Sequence, residues 1–207
     1  MTSKKPNLRL ISRLDIKSES VVKGINLEGI RKVGNPNVLA NHYYEDGIDE
    51  IIYMDVVASL YDRNSLTDFI REASANIFVP ITVGGGIRTL HDIKAVLNNG
   101  ADKVAINTAA IKNPGFIYDA AQEVGSQAIV VSIEAKKRKN LLWEAYYDNG
   151  RERSFLNAID WAKCAEDNGI GEILVTSIDN DGVARGFDID LVNTVMKNVS
   201  VPVIASG

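Results

Sequence analysis

Short runs of β-branched and apolar residues recur along the chain, and helical stretches separate each run from the next. The runs lie at 8–14, 50–54, 81–83, 103–106, 128–133, 172–176 and 203–205. Strands alternating with helices of about a dozen residues predict βα units around a parallel sheet. The helices carry their own start and stop signals. "NPNVLANHYYEDG" offers Asn35 as a cap, Pro36 in the first turn and Gly47 as a stop; "TLHDIKAVLNNG" closes on Gly100 and "NAIDWAKCAEDNG" on Gly169. One strand breaks the apolar pattern. In "ISRLDIK", Ile11, Arg13 and Asp15 share a face, so two charges occupy positions that a buried strand gives to apolar side chains.

An internal repeat sets the expected architecture. "GIDEIIYMD" aligns with "GIGEILVTS", "VPITVGG" with "VPVIASG", and "LDIK" with "IEAK". The spacing from Glu50 to Val79 is 29 residues, and so is the spacing from Glu172 to Val201. Two copies of a four-strand unit predict an α/β fold, a (βα)8 TIM barrel with a twofold internal repeat. Residues 1–207 read as one incomplete barrel domain, with half-barrels at about 8–120 and 128–207. Seven strands are counted. By the repeat, a seventh helix, an eighth strand and an eighth helix are missing, which is the expectation for a C-terminally truncated piece of a longer protein.

Composition narrows the function classes. The chain is 45% hydrophobic and 24% charged with a net charge of -4, the profile of a soluble globular domain. No apolar run approaches the roughly 18 residues of a membrane span, and "MTSKKPN" lacks a secretory core, so a cytoplasmic protein with no membrane partner is expected. The basic residues are scattered, which argues against nucleic acid. The run "KKRK" at 136–139 reads as a solvated loop beside a hairpin in "LLWEAYYDNG". Cys164 has no partner for a disulfide, and neither His42 nor His91 has ligand-type neighbours, so no metal or cofactor is expected.

Barrel enzymes place their chemistry at the C-terminal ends of the strands. Asp15, Asp55, Glu134, Asp179 and Asp181 all fall there. The repeat makes Asp15 and Glu134 equivalent, which places two carboxyl groups on opposite walls of one mouth, the arrangement that acid and base catalysis needs. Mutual pairing with lysine or arginine is the structural alternative. "VGGGI" and "AINTAA" offer open backbone amides followed by helices, suited to an anion, and "SIDNDGVARG" and "ASG" offer glycine-rich loops on the other side. Two phosphate sites across one mouth suggest a ligand with a phosphate at each end.

These segments resemble the cyclase subunit of imidazole glycerol phosphate synthase, of the histidine pathway. The motifs that carry the likeness are "LDIK", "VVKG", "GIDEIIYMDVVAS", "VPITVGGGI", "GADKVAINTAA", "GSQAIVVSIEAK" and "GEILVTSIDNDG". The resemblance implies a lyase that uses ammonia and a doubly phosphorylated ribulosyl aminoimidazole carboxamide nucleotide. Its products would be imidazole glycerol phosphate and the aminoimidazole carboxamide ribotide. It also implies Asp15 and Glu134 as catalytic residues, with Lys23, Asp55, Asn107, Thr176 and Ser206 lining the substrate. Gly86, Asn107 and Thr108 would hold one phosphate, and Asp181 and Gly182 the other. Arg9, Glu50, Lys103 and Glu172 would form a charged gate for ammonia from a glutaminase partner; a structural ion-pair network is the plainer reading of those four.

Two residues depart from the family pattern. Glu134 stands where the family has aspartate, and Arg13 where it has a small or neutral residue. Both changes face the barrel interior and point to an altered substrate. The runner-up reading is therefore a cyclase-like paralogue that assists ammonia-dependent amidination of a surface-polysaccharide sugar. An inactive fragment or scaffold is the reading from another class. The phosphosugar isomerase of the same pathway fits less well, because the gate charges and "VVKG" favour the cyclase.

Overall fold

A computed structural model describes residues 8–58, 67–139 and 142–207 of the chain, except the side chain of Asp68. The N-terminal "MTSKKPN" lies outside the described residues. The strands are β1 (Ile11–Lys17), β2 (Ser20–Ile25), β3 (Glu28–Gly34), β4 (Glu50–Asp55), β5 (Ile81–Gly84), β6 (Lys103–Ile106), β7 (Ile129–Lys137), β8 (Trp143–Tyr147), β9 (Glu152–Asn157), β10 (Glu172–Ser177) and β11 (Val203–Ser206). The helices are α1 (Pro36–Glu45), α2 (Thr67–Asn76), α3 (Leu90–Asn98), α4 (Thr108–Lys112), α5 (Gly115–Val124), α6 (Ala158–Asp167) and α7 (Ile189–Met196). Their caps follow the sequence signals. Asn35 accepts from the amides of Asn37 and Val38, Asn157 from those of Ile159 and Asp160, and Thr89 forms a capping box with Asp92.

The sheet runs β11-β10-β7-β6-β5-β4-β1-β2-β3, and its β11-to-β1 portion is parallel. It curls, because side chains from β1 reach β10 and β11 at the other end of that portion. This is a sheet of TIM-barrel type. One apolar cluster, with Leu14, Ile16, Tyr53, Ile93, Ile117 and Val175, fills the space between sheet and helices. A second, with Ile52, Met54, Val130, Leu174 and Ile204, fills the lumen. Period-two alternation along each strand serves both cores.

The expected count of seven strands is corrected to eleven among the described residues. The four additional strands are antiparallel and form two hairpins, β2–β3 after β1 and β8–β9 after β7. "SVVKGINLEGIRKVG" hides its strands behind three glycines and scattered charges, since its pairing is local and little of it is buried. Its turn is a two-residue loop, Asn26 and Leu27, with φ of 53° and 64° between the paired Ile25 and Glu28. Both positive values match the hairpin turn that suits strand twist. The first strand also starts later than expected, and Leu8 and Leu10 are exposed. Finally, "KKRK" is not a free loop: Lys136 and Lys137 end β7, and Arg138 pairs with the buried Glu144.

Candidate functional site

The floor of the lumen is a four-residue ion-pair ring. Arg9 donates to Glu50 and Glu172, each at 2.8 Å, and Lys103 donates to the same two carboxylates at 2.8 and 2.9 Å. The sequence placed these residues at the bottoms of separate strands, and the fold brings all four together. One oxygen of Glu50 is buried without a partner. Arg9 holds its proton more tightly than an ordinary guanidinium: burial works against the charge, and Glu172 and Glu50 outweigh it.

At the other end of the strands lies a cavity of about 350 Å³. Its walls include Asp55, Gly85, Gly86, Asn107, Thr108, Lys112 and Glu134. Gly85 has φ of 93°, and a Cβ there would run into the backbone carbonyl of Asp55, so only glycine lets this turn lie against β4. Asp55 is buried and accepts from the Val57 amide at 2.9 Å. Asn107 precedes α4 without capping it by its side chain; it donates to the Tyr146 carbonyl, and its Oδ1 is buried and unpartnered. Thr108 accepts from the Asp148 amide. The cavity therefore presents a glycine turn, an amide side chain, a hydroxyl and a lysine beside the carboxyl groups of Asp55, Asp148 and Glu134; the last of these is the one whose pKa burial raises.

Glu134 accepts from the Gly150 amide at 2.8 Å, and Gly150 lies in the β8–β9 turn. Burial pushes its pKa up to about 7; the Arg13 guanidinium, the Gly150 amide and Arg151 oppose that rise, and Asp15 adds to it. A group so placed exchanges protons near neutrality.

Asp15 is not part of the cavity wall. Its Oδ1 accepts from Arg13 Nε at 2.8 Å. Arg13 Nη1 also donates to Thr176 at 2.8 Å and to Ser206 at 3.4 Å, while Nη2 is buried without a partner. Thr176 and Ser206, expected to touch substrate, thus hold the arginine. Burial works against the Arg13 charge, but Asp15, Glu134 and Asp181 hold its proton more tightly than usual.

The other half of the mouth is covered. Asn26, at the tip of the first hairpin, hydrogen-bonds through its amide to Asp181 and through its side chain to the carbonyls of Ile178 and Asp179. Leu27 packs with Tyr146 and Ile178. Lys23 approaches Asp181 at 3.3 Å, and Gly182 lies so close to Gly24 that a Cβ on it would strike the Gly24 carbonyl. Asp181 and Gly182 therefore sit under the hairpin, away from the cavity. Gly150, Leu27, Tyr146 and Lys112 stand out by no motif of their own beyond the "DNG" turn at Gly150, because they act through contacts between distant segments.

Among the described residues, no helix is long and apolar enough to cross a membrane. The chain matches the histidine biosynthesis protein family over residues 9–207. It is 56% identical over 201 residues to imidazole glycerol phosphate synthase subunit HisF of Legionella pneumophila, covering 97% of this chain and 95% of that relative. It is also 49% identical to the HisF subunit of Hydrogenobaculum sp. and 47% identical to that of Thermococcus onnurineus; each match covers 96% of this chain and 79% of the relative. With a charged ring at one end of a curled parallel sheet and a carboxyl-bearing cavity at the other, the chain belongs to the histidine biosynthesis protein family and, within it, to the HisF subunits.

Proposed function

We propose that the protein is the cyclase subunit of imidazole glycerol phosphate synthase, a cytoplasmic lyase that works with a glutaminase partner. The observation that carries this reading is the pairing, along one lumen, of the Arg9–Glu50–Lys103–Glu172 ring with the cavity around Glu134. Ammonia released by the partner would enter at the ring and meet a ribulosyl aminoimidazole carboxamide nucleotide at the mouth. Glu134 would move the protons of ring closure and bond cleavage. One phosphate would rest on Gly86, Asn107 and Thr108, and the other near Asp181 and Gly182 once the hairpin moves. The two half-barrels, about 8–120 and 128–207, would be copies of one unit; a hairpin after β1 and another after β7 support that.

A second reading has its own observation. Arg13 bound to Asp15 inside the lumen suits a paralogue that supplies ammonia for amidination of a surface sugar and no longer cyclises the nucleotide. The experiment that separates the two is the absorbance change on nucleotide consumption with ammonium chloride and no partner. Turnover supports the cyclase. Absence of turnover with nucleotide bound supports the paralogue.

A further inference from the structure

We propose that Arg13 is a positioning residue that takes Asp15 out of ligand contact and leaves Glu134 as the proton-exchanging carboxyl group of the cavity. The proposal deepens the cyclase reading and rests on it only for its turnover measurement. Arg13 and Asp15 are two residues apart on one face of β1, so both side chains enter the lumen. The guanidinium is fixed at three points: Asp15, Thr176 and Ser206. Its two hydroxyl anchors belong to one row of the sheet, because Thr176 is in register with Glu134 and Ser206 with Thr176. The planar fork therefore spans the lumen from β1 to the row that ends at Glu134. Moving Asp15 into the cavity would break a charge-assisted bond in a largely buried setting, where such bonds are strong.

The surroundings of the two carboxyl groups differ accordingly. Asp15 faces a cation at 2.8 Å, whereas Glu134 lines the cavity and receives one backbone amide. The charged groups that face Glu134 are Arg13 and Asp15 from β1 and Arg151 from the β8–β9 turn. Asp55 from β4, Lys112 from α4 and Asp148 from the turn share the cavity wall with it. Two carboxyl groups in such unlike settings divide the work. Arg13 sets the division: it binds Asp15 directly and acts on Glu134 by its field.

The test reads the titration of Glu134 directly, by carbon NMR of side-chain carboxyl groups in the wild type and four variants. The Glu134 signal is assigned by its loss in Glu134→Gln. The expected midpoint is about 7 in the wild type. It moves up in Arg13→Gln, which removes an opposing cation, and down in Asp15→Asn, which removes a like charge. Arg13→Lys keeps the charge and restores a midpoint close to wild type. A Glu134 midpoint unmoved by Asp15→Asn or by Arg13→Gln overturns the proposal; should Arg13→Gln fail to fold, Asp15→Asn decides alone. In turnover with ammonium chloride, the double variant Arg13→Gln, Asp15→Asn is expected to lose at least about tenfold less than Glu134→Gln, whose loss is about a hundredfold or more. Equal losses make Asp15 a proton-transfer group and overturn the assignment. A wild type that titrates as expected and turns over no nucleotide removes the cyclase reading and leaves Arg13's role standing.

Discussion

Glu50 and Glu172 come from strands on opposite sides of the lumen and share both of their cations, since Arg9 and Lys103 each donate to both carboxylates. Without the cations, two largely buried negative charges would face each other. Lys103 is the better shielded of the pair, with its side chain 14% exposed against 37% for Arg9. Lys103→Met is therefore expected to destabilise the fold by about 3 kcal/mol, the scale of a broken buried ion pair. Arg9→Met is expected to cost less, because solvent screens that site. Urea midpoints of the two variants check the order; equal losses would show that burial does not set the strength of the ring.

Stability should depend on pH through Glu134. Its folded pKa, about 7, lies above the unfolded carboxyl value. Proton binding thus favours the folded state: the contribution is fully present below about pH 4 and is lost as pH rises through about 7. Glu134→Gln removes the charge that burial penalises. The variant is expected to be more stable than wild type at pH 8, by about 3 kcal/mol, and to match it near pH 4. A stability difference that does not change with pH would show that Glu134 titrates normally.

Leu27 holds a left-handed backbone conformation, which costs a non-glycine residue about 1–2 kcal/mol, and it buries its side chain against Tyr146 and Ile178. Leu27→Gly relieves the backbone and removes the packing. Because the packing is what fixes the tip, faster hydrogen exchange is expected at the Asn26 amide, with no change in β4 or β5. Unchanged exchange at Asn26 would show that its hydrogen bonds alone hold the hairpin down.

Gly85→Ala is expected to cost more than about 3 kcal/mol or to prevent folding, since a Cβ meets the Asp55 backbone and φ is positive. Inorganic phosphate tests the neighbouring amides in the intact protein. Shifts at Gly86 and Thr108 without shifts at Gly182 are expected, because Gly182 lies under the hairpin. Shifts at Gly182 alone would move the anion site to the other side of the mouth.

Much of this arrangement is legible in the sequence because its signals are local or periodic. The runs at 50–54, 81–83, 103–106 and 172–176 fall within β4, β5, β6 and β10, and Asn35, Thr89 and Asn157 begin helices where a cap residue precedes an apolar period. The repeat aligns Glu50 with Glu172, but only the likeness to the cyclase subunits joins Arg9 and Lys103 to them. What escapes is set by contacts across long separations. Arg13 meets Thr176 and Ser206 at distances of 163 and 193 residues along the chain, and no spacing rule relates them. Asp15 and Glu134 are equivalent in sequence yet differ in surroundings, because only one of them shares its strand face with an arginine. The first hairpin escapes for another reason: its strands are mostly exposed, so the alternation that marks a buried strand is weak.

The tip of that hairpin has a mechanical consequence. Asn26 makes three hydrogen bonds to the 178–181 segment, and Leu27 buries its side chain beside them. These contacts sit on the two adjacent residues of the turn, so lifting the tip as a unit breaks them together. Uncovering that half of the mouth is therefore expected to cost the whole set of contacts at once, and substitutions at positions 26 and 27 are expected to change how often it is uncovered.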